Sequence, residues 1–209
     1  FVLIIAPAAT LVAFVVGITL GLPAGYKGGR VDAILSFIAN LILSFPVIVL
    51  FYLLVTPGIR ETALPNVMAG VFFMFPIIFS LTVLRSRFSE RPGLLFPWSV
   101  IILILGGWLY SGVVFNSDPL GLISMDPNEL NIFAAVVFAS SPGVFRIVRG
   151  LTMDIKTRDY VAAAQTRGET PWYIMLWEIL PNARGPLIVD ACLRIGYTTI
   201  LLGTLGFFG

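Results

Sequence analysis

Six apolar segments recur along the chain, separated by short polar connections. They lie at 1–22, 33–56, 66–84, 94–115, 131–149 and 186–208. A helix needs about 20 apolar residues to cross the hydrocarbon core of a bilayer, and its backbone groups must be hydrogen-bonded internally there. Each segment therefore predicts a transmembrane helix. The expected fold class is an all-α integral membrane protein with about six spans.

Lysine and arginine collect in alternate connections between these segments. Connections 23–32 and 85–93 and the longer region 146–185 together contain eleven of them, whereas 57–65 and 116–130 contain only Arg60. Because cytoplasmic loops are enriched in Lys and Arg, the basic connections are predicted to face the cytoplasm. This distribution accounts for the net charge of +2 without a nucleic-acid partner.

The composition excludes several classes of chemistry. Only 11% of the residues are charged, His is absent, and Cys192 is the one cysteine. A chain without His cannot build an HExxH zinc site or use a His general base, and one Cys cannot form an internal disulfide. Because the sequence begins within an apolar run at Phe1, without Met or a charged segment before it, we interpret this run as part of a fragment and not as a signal peptide. Residues 1–209 are then a single transmembrane domain that continues beyond both ends.

Gly17, Gly21 and Gly25 recur every four residues in the first span. Such a stripe lets the backbone of a second helix approach closely, so it predicts a helix-packing surface. The alternative is that glycine is simply frequent in membrane helices.

A short polar helix is predicted within the basic region 150–185. Asp159 suits the N-cap position, and the following residues, Tyr160 to Arg167, include three consecutive alanines. Gly168 suits a left-handed residue after the helix, and Pro171 prevents its continuation. A helix of eight residues is unstable alone in water, so it must pack against something.

One face of this helix combines an aromatic residue, two alanines and a cation. Tyr160, Ala163, Ala164 and Arg167 follow helical spacing. Small side chains between larger ones suit docking into the groove of a partner protein. The alternative is a connector helix that lies on its own membrane domain.

The same region resembles the EAA loop of ABC-transporter permease subunits, whose pattern is EAA-x3-G-x9-I-x-LP. Ala163, Ala164 and Gly168 match, and Leu180-Pro181 follow at the expected distance. Two positions depart from the pattern, since Ala162 stands at the glutamate and Glu178 at the isoleucine. The form DYVxAAxxxG is common in the dipeptide/oligopeptide branch of that family.

Further blocks resemble the same branch: GLPAGYKGGRVD at 21–32, LSFP at 43–46, RIVRGLTMDIKTRDYV at 146–161, PNARGPLIV at 181–189 and GTLGFFG at 203–209. The middle fits less well, because it contains two more spans than the branch has there. We interpret the excess as an added two-helix hairpin at about 85–130.

The resemblance implies a permease subunit of an ATP-driven importer in the bacterial inner membrane. Peptides are the implied substrate, with nickel, opines or sugars as alternatives. The implied partners are a second permease subunit, two ATPase subunits and an external binding protein. No Walker A pattern occurs in the chain, so ATP and Mg²⁺ are expected on the ATPase subunits and no cofactor on this chain. The implied ATPase-docking residues are Asp159, Tyr160, Ala163, Ala164, Arg167, Gly168 and Glu169.

Asp190 and Arg194 lie four residues apart in the last span and can pair on one face. The pair is interpreted either as structural or as part of the translocation pathway. Two rival functions are a secondary transporter or channel, which would need ionisable residues near the membrane midplane, and a membrane-embedded enzyme. The central spans contain almost no ionisable residues, and no catalytic constellation is evident.

Overall fold

The computed structural model describes residues 2–46, 62–89, 91–117 and 126–208, together with residues 49, 56 and 58. Within these residues the secondary structure is helical. The elements are α1 (Val2–Lys27), α2 (Gly29–Leu43), α3 (Leu64–Phe88), α4 (Pro92–Phe115), α5 (Pro127–Ile155), α6 (Asp159–Thr166), the short turn α7 (Pro171–Tyr173), a π-helix (Ile174–Ile179) and α8 (Leu180–Phe208).

Five stretches of these helices are long and apolar enough to cross a membrane: Leu3–Lys27, Leu64–Phe88, Pro92–Phe115, Asn128–Ile155 and Pro171–Gly203. They correspond to the first, third, fourth, fifth and sixth predicted spans, so the all-α membrane fold class is confirmed. The second predicted span begins within α2, and most of its remainder lies outside the described residues. The helices extend past the apolar segments, because helical hydrogen bonding continues into the polar flanks.

The centre of the fold is the contact between α1 and α5, and the glycine stripe of α1 lies in it. A β carbon built on Gly21 would lie 2.8 Å from Cβ of Val148 and 3.1 Å from the carbonyl oxygen of Phe145. A β carbon on Gly25 would lie 2.7 Å from the carbonyl oxygen of Arg149, and Gly17 is equally crowded. The stripe is therefore a packing surface that brings the two backbones together.

Helices α3 and α4 form a hairpin at the edge of this core. Phe73 of α3 stacks on Phe133 of α5 with ring centroids 5.2 Å apart, whereas α4 packs mainly against α3. A β carbon on Gly106 of α4 would lie 2.8 Å from Cγ1 of Ile77, so these two helices are also close. The helical hairpin thus spans Leu64–Phe115, earlier than the 85–130 predicted. That it is an addition to the family pattern stays a prediction.

An ion pair connects α2 to the C-terminal part of α5, which is predicted to face the cytoplasm. Two nitrogen atoms of the Arg149 guanidinium donate to Asp32: Nε to Oδ1, and Nη2 to Oδ2 at 2.6 Å. Asp32 lies in the predicted loop 23–32, before the apolar part of α2. The hydrogen bonds from Arg149 hold the pKa of Asp32 below its usual value, desolvation opposes this effect, and a hydrogen bond from Ser36 adds to it.

The Asp32–Arg149 pair predicts a pH dependence of stability. Because the pKa of Asp32 is lower in the folded protein, the pair stabilises the fold at neutral pH, and this contribution is lost as the pH falls from about 5 through the folded pKa. We expect this partly exposed pair to contribute about 1 kcal/mol to the free energy of unfolding at pH 7. The melting temperature of the purified protein, measured from pH 7 down to about 3, should fall more steeply for the wild type than for Asp32→Asn. Parallel pH profiles would contradict this role of Asp32.

Candidate functional site

The polar helix α6 starts one residue earlier than expected. Arg158 is the N-cap, with an extended backbone at φ −79° and ψ 149°, and no side chain caps the helix there. Asp159 is the first helical residue, so its predicted role as the N-cap is wrong. Its carboxylate nevertheless lies in the first turn, where a negative charge interacts favourably with the helix dipole.

The end of α6 agrees with the sequence pattern. Gly168 has φ +81°, a left-handed conformation that favours glycine. Its N–H donates to the carbonyl oxygen of Gln165 at 3.0 Å, and the N–H of Glu169 donates to that of Ala164 at 3.3 Å. These two bonds form a Schellman motif, which satisfies carbonyl groups at the helix end. The helix is therefore sharply terminated.

One side of α6 is buried in its own membrane domain. Val161 and Ala164 are completely inaccessible to solvent, in a cluster with Ile174, Met175 and Ile179 of the π-helix. Ala164 was expected on the docking face, and that placement is wrong, because its methyl group faces the interior. The interpretation of α6 as a helix that lies on its own domain is thus correct for this side, and it is compatible with docking on the other.

The opposite side of α6 is exposed, and most of its residues have small side chains. Successive residues turn by about 100° around a helix, which places Asp159, Ala162, Ala163 and Thr166 farthest from the buried side. Tyr160 and Arg167, both exposed, lie at one edge of this surface. We call its three small residues, Ala162, Ala163 and Thr166, the outer face of α6. Sequence reasoning missed Ala162 and Thr166, although the i, i+3 spacing of Val161 and Ala164 could have indicated which side is buried.

Polar contacts hold α6 against the elements on either side of it. Arg167 donates from Nη2 to Oε1 of Glu178 at 3.0 Å, and Gln165 donates from Nε2 to the hydroxyl of Tyr26 at 3.1 Å. Lys156, in the turn before α6, donates to the carbonyl oxygen of Gly25 at 2.8 Å. Glu178, the residue that stands in place of the isoleucine of the EAA pattern, is thus the partner of Arg167. These contacts connect α6 to the end of α1 and to the π-helix that precedes α8.

The π-helix connects the same region to the α3–α4 hairpin. Trp177 donates from Nε1 to Oγ of Ser86 at 3.1 Å, and Cζ of Arg87 lies 5.0 Å from the centroid of its ring. Ser86 is buried. A charge over an aromatic face and a hydrogen bond to a buried hydroxyl both favour this arrangement. The basic turn of the hairpin is therefore fixed to the segment that follows α6.

Replacing Trp177 by phenylalanine is expected to loosen that turn. The change removes one hydrogen bond of about 1 kcal/mol, so the population of the open turn should rise about fivefold. Tryptic cleavage after Arg85 or Arg87 in inside-out vesicles measures this opening. Trp98→Phe is the matched control, since Trp98 is half exposed on α4. Equal cleavage rates in the two variants would show that Trp177 does not hold the turn.

Asp190 and Arg194 form an ion pair between successive turns of α8, with Nε 2.6 Å from Oδ2. Arg194 also donates from Nη1 to the carbonyl oxygen of Ser140 in α5, at 3.4 Å. A β carbon on Gly143 would lie 2.7 Å from Nη2 of Arg194, so the guanidinium fills the space that this glycine leaves. The pair therefore connects α8 to α5, as its structural interpretation requires, and a pathway role remains a hypothesis.

The chain matches one known protein family and several curated transport proteins. The family model for "Binding-protein-dependent transport system inner membrane component" matches residues 17–209. The probable D,D-dipeptide transport system permease protein DdpC of Escherichia coli is 36% identical over 41% of this chain and 29% of its own length. The dipeptide transport system permease protein DppC of Bacillus subtilis is 26% identical over 96% of this chain and 42% of its own length.

A third relative is the glutathione transport system permease protein GsiD of Pectobacterium atrosepticum, 33% identical over 41% of this chain and 28% of its own length. The chain thus spans less than half the length of each of these curated relatives. No solved structure matches the chain.

Proposed function

Since the chain belongs to the family of binding-protein-dependent transport system inner membrane components, we propose that it is a membrane-spanning permease subunit of an ATP-driven importer. The chain is a multi-pass protein of the bacterial inner membrane. We propose in addition that α6 is the element on which a separate ATPase subunit docks. Short peptides are the proposed substrate, because the relatives are named for dipeptides and glutathione.

The observation that carries this proposal is the two-sided environment of α6. Its inner side is completely buried on the π-helix, and its outer face is exposed and made of small residues. A partner can approach the backbone of such a face closely, and the buried side gives the helix a firm attachment to the membrane domain. Both properties are needed by an element that transmits movement between two subunits.

The contacts of α6 suggest the route of that movement. A displacement of α6 would press on Ile174 and Met175 through Val161 and Ala164, and would pull on Glu178 through Arg167. These residues lead directly into α8. The hydrogen bond of Gln165 to Tyr26 would carry the same displacement to α1. The movement of the ATPase subunits would thereby change the packing of two membrane helices together.

The remaining parts of the transporter follow from the same proposal. ATP and Mg²⁺ would be bound by two ATPase subunits, and a second permease subunit would complete the pathway. An external binding protein would deliver the peptide. This chain would perform no hydrolysis itself, since its sequence has no Walker A pattern.

Co-purification tests this assignment. The protein is expressed with the products of its neighbouring genes, purified through a tag on the permease and reconstituted in nanodiscs. We expect an ATPase subunit to be retained and ATP hydrolysis to rise when peptide-loaded binding protein is added. Retention of no ATPase, together with peptide uptake driven by an ion gradient alone, would instead establish a secondary transporter.

A further inference from the structure

A cavity of about 640 Å³ lies where the cytoplasmic end of α3 meets α7. Its described lining consists of the apolar side chains Ile78, Leu81 and Trp172, the hydroxyl residues Thr82, Ser86, Ser89 and Thr170, and the cation Arg85. None of the functions proposed above uses this cavity.

The lining changes from apolar to polar along α3, toward the C-terminal end of that helix. Ile78 and Arg85 are seven residues apart on α3, which at 1.5 Å per residue is about 10 Å. Ile78 and Leu81 lie in the apolar part of the span, whereas Arg85 is in the last helical turn, next to the basic connection predicted to be cytoplasmic. The cavity therefore extends from the edge of the hydrocarbon core to the level of the lipid headgroups.

Arg85 is the one charged residue in the described lining of the cavity. It is exposed, and it forms no ion pair or hydrogen bond with any described residue. Arg87, on the same turn, lies over the ring of Trp177 instead. The cavity thus combines an apolar slot with a cation that no described residue neutralises and with several hydroxyl groups at the same end.

From this arrangement we infer that the cavity binds an anionic phospholipid of the cytoplasmic leaflet. An acyl chain lies along Ile78 and Leu81, the phosphate accepts hydrogen bonds from Arg85 and from the hydroxyls of Ser89 and Thr170, and Trp172 lies at the interface, where its amphipathic ring is favoured. Selectivity for an anionic headgroup comes from Arg85, because a single basic side chain near the surface favours anionic lipid about fivefold. This inference is independent of ATPase docking.

Native mass spectrometry of the purified protein tests the inference. The protein is equilibrated with equal amounts of phosphatidylglycerol and phosphatidylcholine that carry identical acyl chains. We expect the wild type to retain more phosphatidylglycerol, Arg85→Gln to lose about fivefold of that preference, and Arg85→Lys to keep most of it. Arg30→Gln is the matched control, because Arg30 is an exposed arginine of a basic connection outside the cavity.

Two results would overturn the inference. One is a wild type without preference for phosphatidylglycerol, as expected if a protein subunit covers the cavity. The other is an equal loss in Arg85→Gln and Arg30→Gln, which would indicate a diffuse charge effect. Inorganic phosphate is added in a further arm. Displacement of the lipid by phosphate would also overturn the inference, because it would identify a site for a soluble anion.

The fluorescence of Trp172 provides an independent readout. Its contribution is the difference between the wild type and Trp172→Phe, and brominated acyl chains quench it on contact. This quenching should be stronger for brominated phosphatidylglycerol than for brominated phosphatidylcholine.

Discussion

Replacing Gly21 by leucine is expected to remove most of the folded protein. The first atom of the new side chain would lie 2.8 Å from Cβ of Val148 and 3.1 Å from the backbone oxygen of Phe145. The oxygen belongs to the backbone of α5 and cannot move alone, so the two helices would have to separate. Overpacking of a core costs about 1–3 kcal/mol, and separation of the central helix pair places this variant at or above the upper end of that range.

The fraction of protein that elutes as a monodisperse species in fluorescence-detected size-exclusion chromatography measures this loss. Gly196→Leu is the control, since Gly196 is also in a membrane helix but has no neighbouring atom within 4 Å of the position that a β carbon would occupy. It should elute like the wild type. Equal losses in both variants would mean that leucine is harmful in any membrane helix, and that the α1–α5 contact has no special role.

Replacing Ala163 by tryptophan is expected to lower peptide uptake at least about tenfold and to leave the folded protein intact. Ala163 is exposed on the outer face of α6 and does not contribute to the buried cluster, so the indole ring of tryptophan should not disturb the fold. It would instead keep the ATPase subunit from approaching the backbone of α6. A loss of 1.4 kcal/mol in docking already gives a tenfold effect.

Uptake of a labelled dipeptide and size-exclusion behaviour are measured together for this variant. Arg30→Trp adds the same ring at another exposed position that is predicted to be cytoplasmic, and it should transport normally. Substitutions at Ala164 should behave differently, because that residue is buried and a larger side chain would disturb the contact with the π-helix. Normal uptake by Ala163→Trp would contradict docking on the outer face.

The membrane helices and the end of α6 could be predicted from the sequence because the signals there are local. Hydrophobic length is sufficient to identify a span, and a glycine followed by a proline is sufficient to end a short helix. The four-residue spacing of Gly17, Gly21 and Gly25 likewise indicated a close helix–helix contact, although it could not indicate that α5 is the helix in contact.

The orientation of α6 could not be predicted in the same way. Alanine suits either side of a helix, so three consecutive alanines leave the buried side undefined, and only contact with the π-helix buries Ala164. The start of the helix depended on whether Arg158 or Asp159 adopted an extended backbone, a difference of one residue. The bond between Trp177 and Ser86 joins residues that are 91 positions apart, and no local pattern indicates such a contact.

Site-specific photo-crosslinking from α6 tests the central proposal most directly. A benzophenone amino acid is placed at Tyr160, the exposed aromatic residue at the edge of the outer face, and in a parallel variant at Arg30, in cells that express the complete transporter. Both positions are exposed, and the probe at Tyr160 replaces one aromatic ring by another, so it leaves the small residue Ala163 unchanged. We predict a crosslinked product with the ATPase subunit from Tyr160 and none from Arg30. A crosslink from Tyr160 only to lipid or to the permease itself would contradict docking on α6.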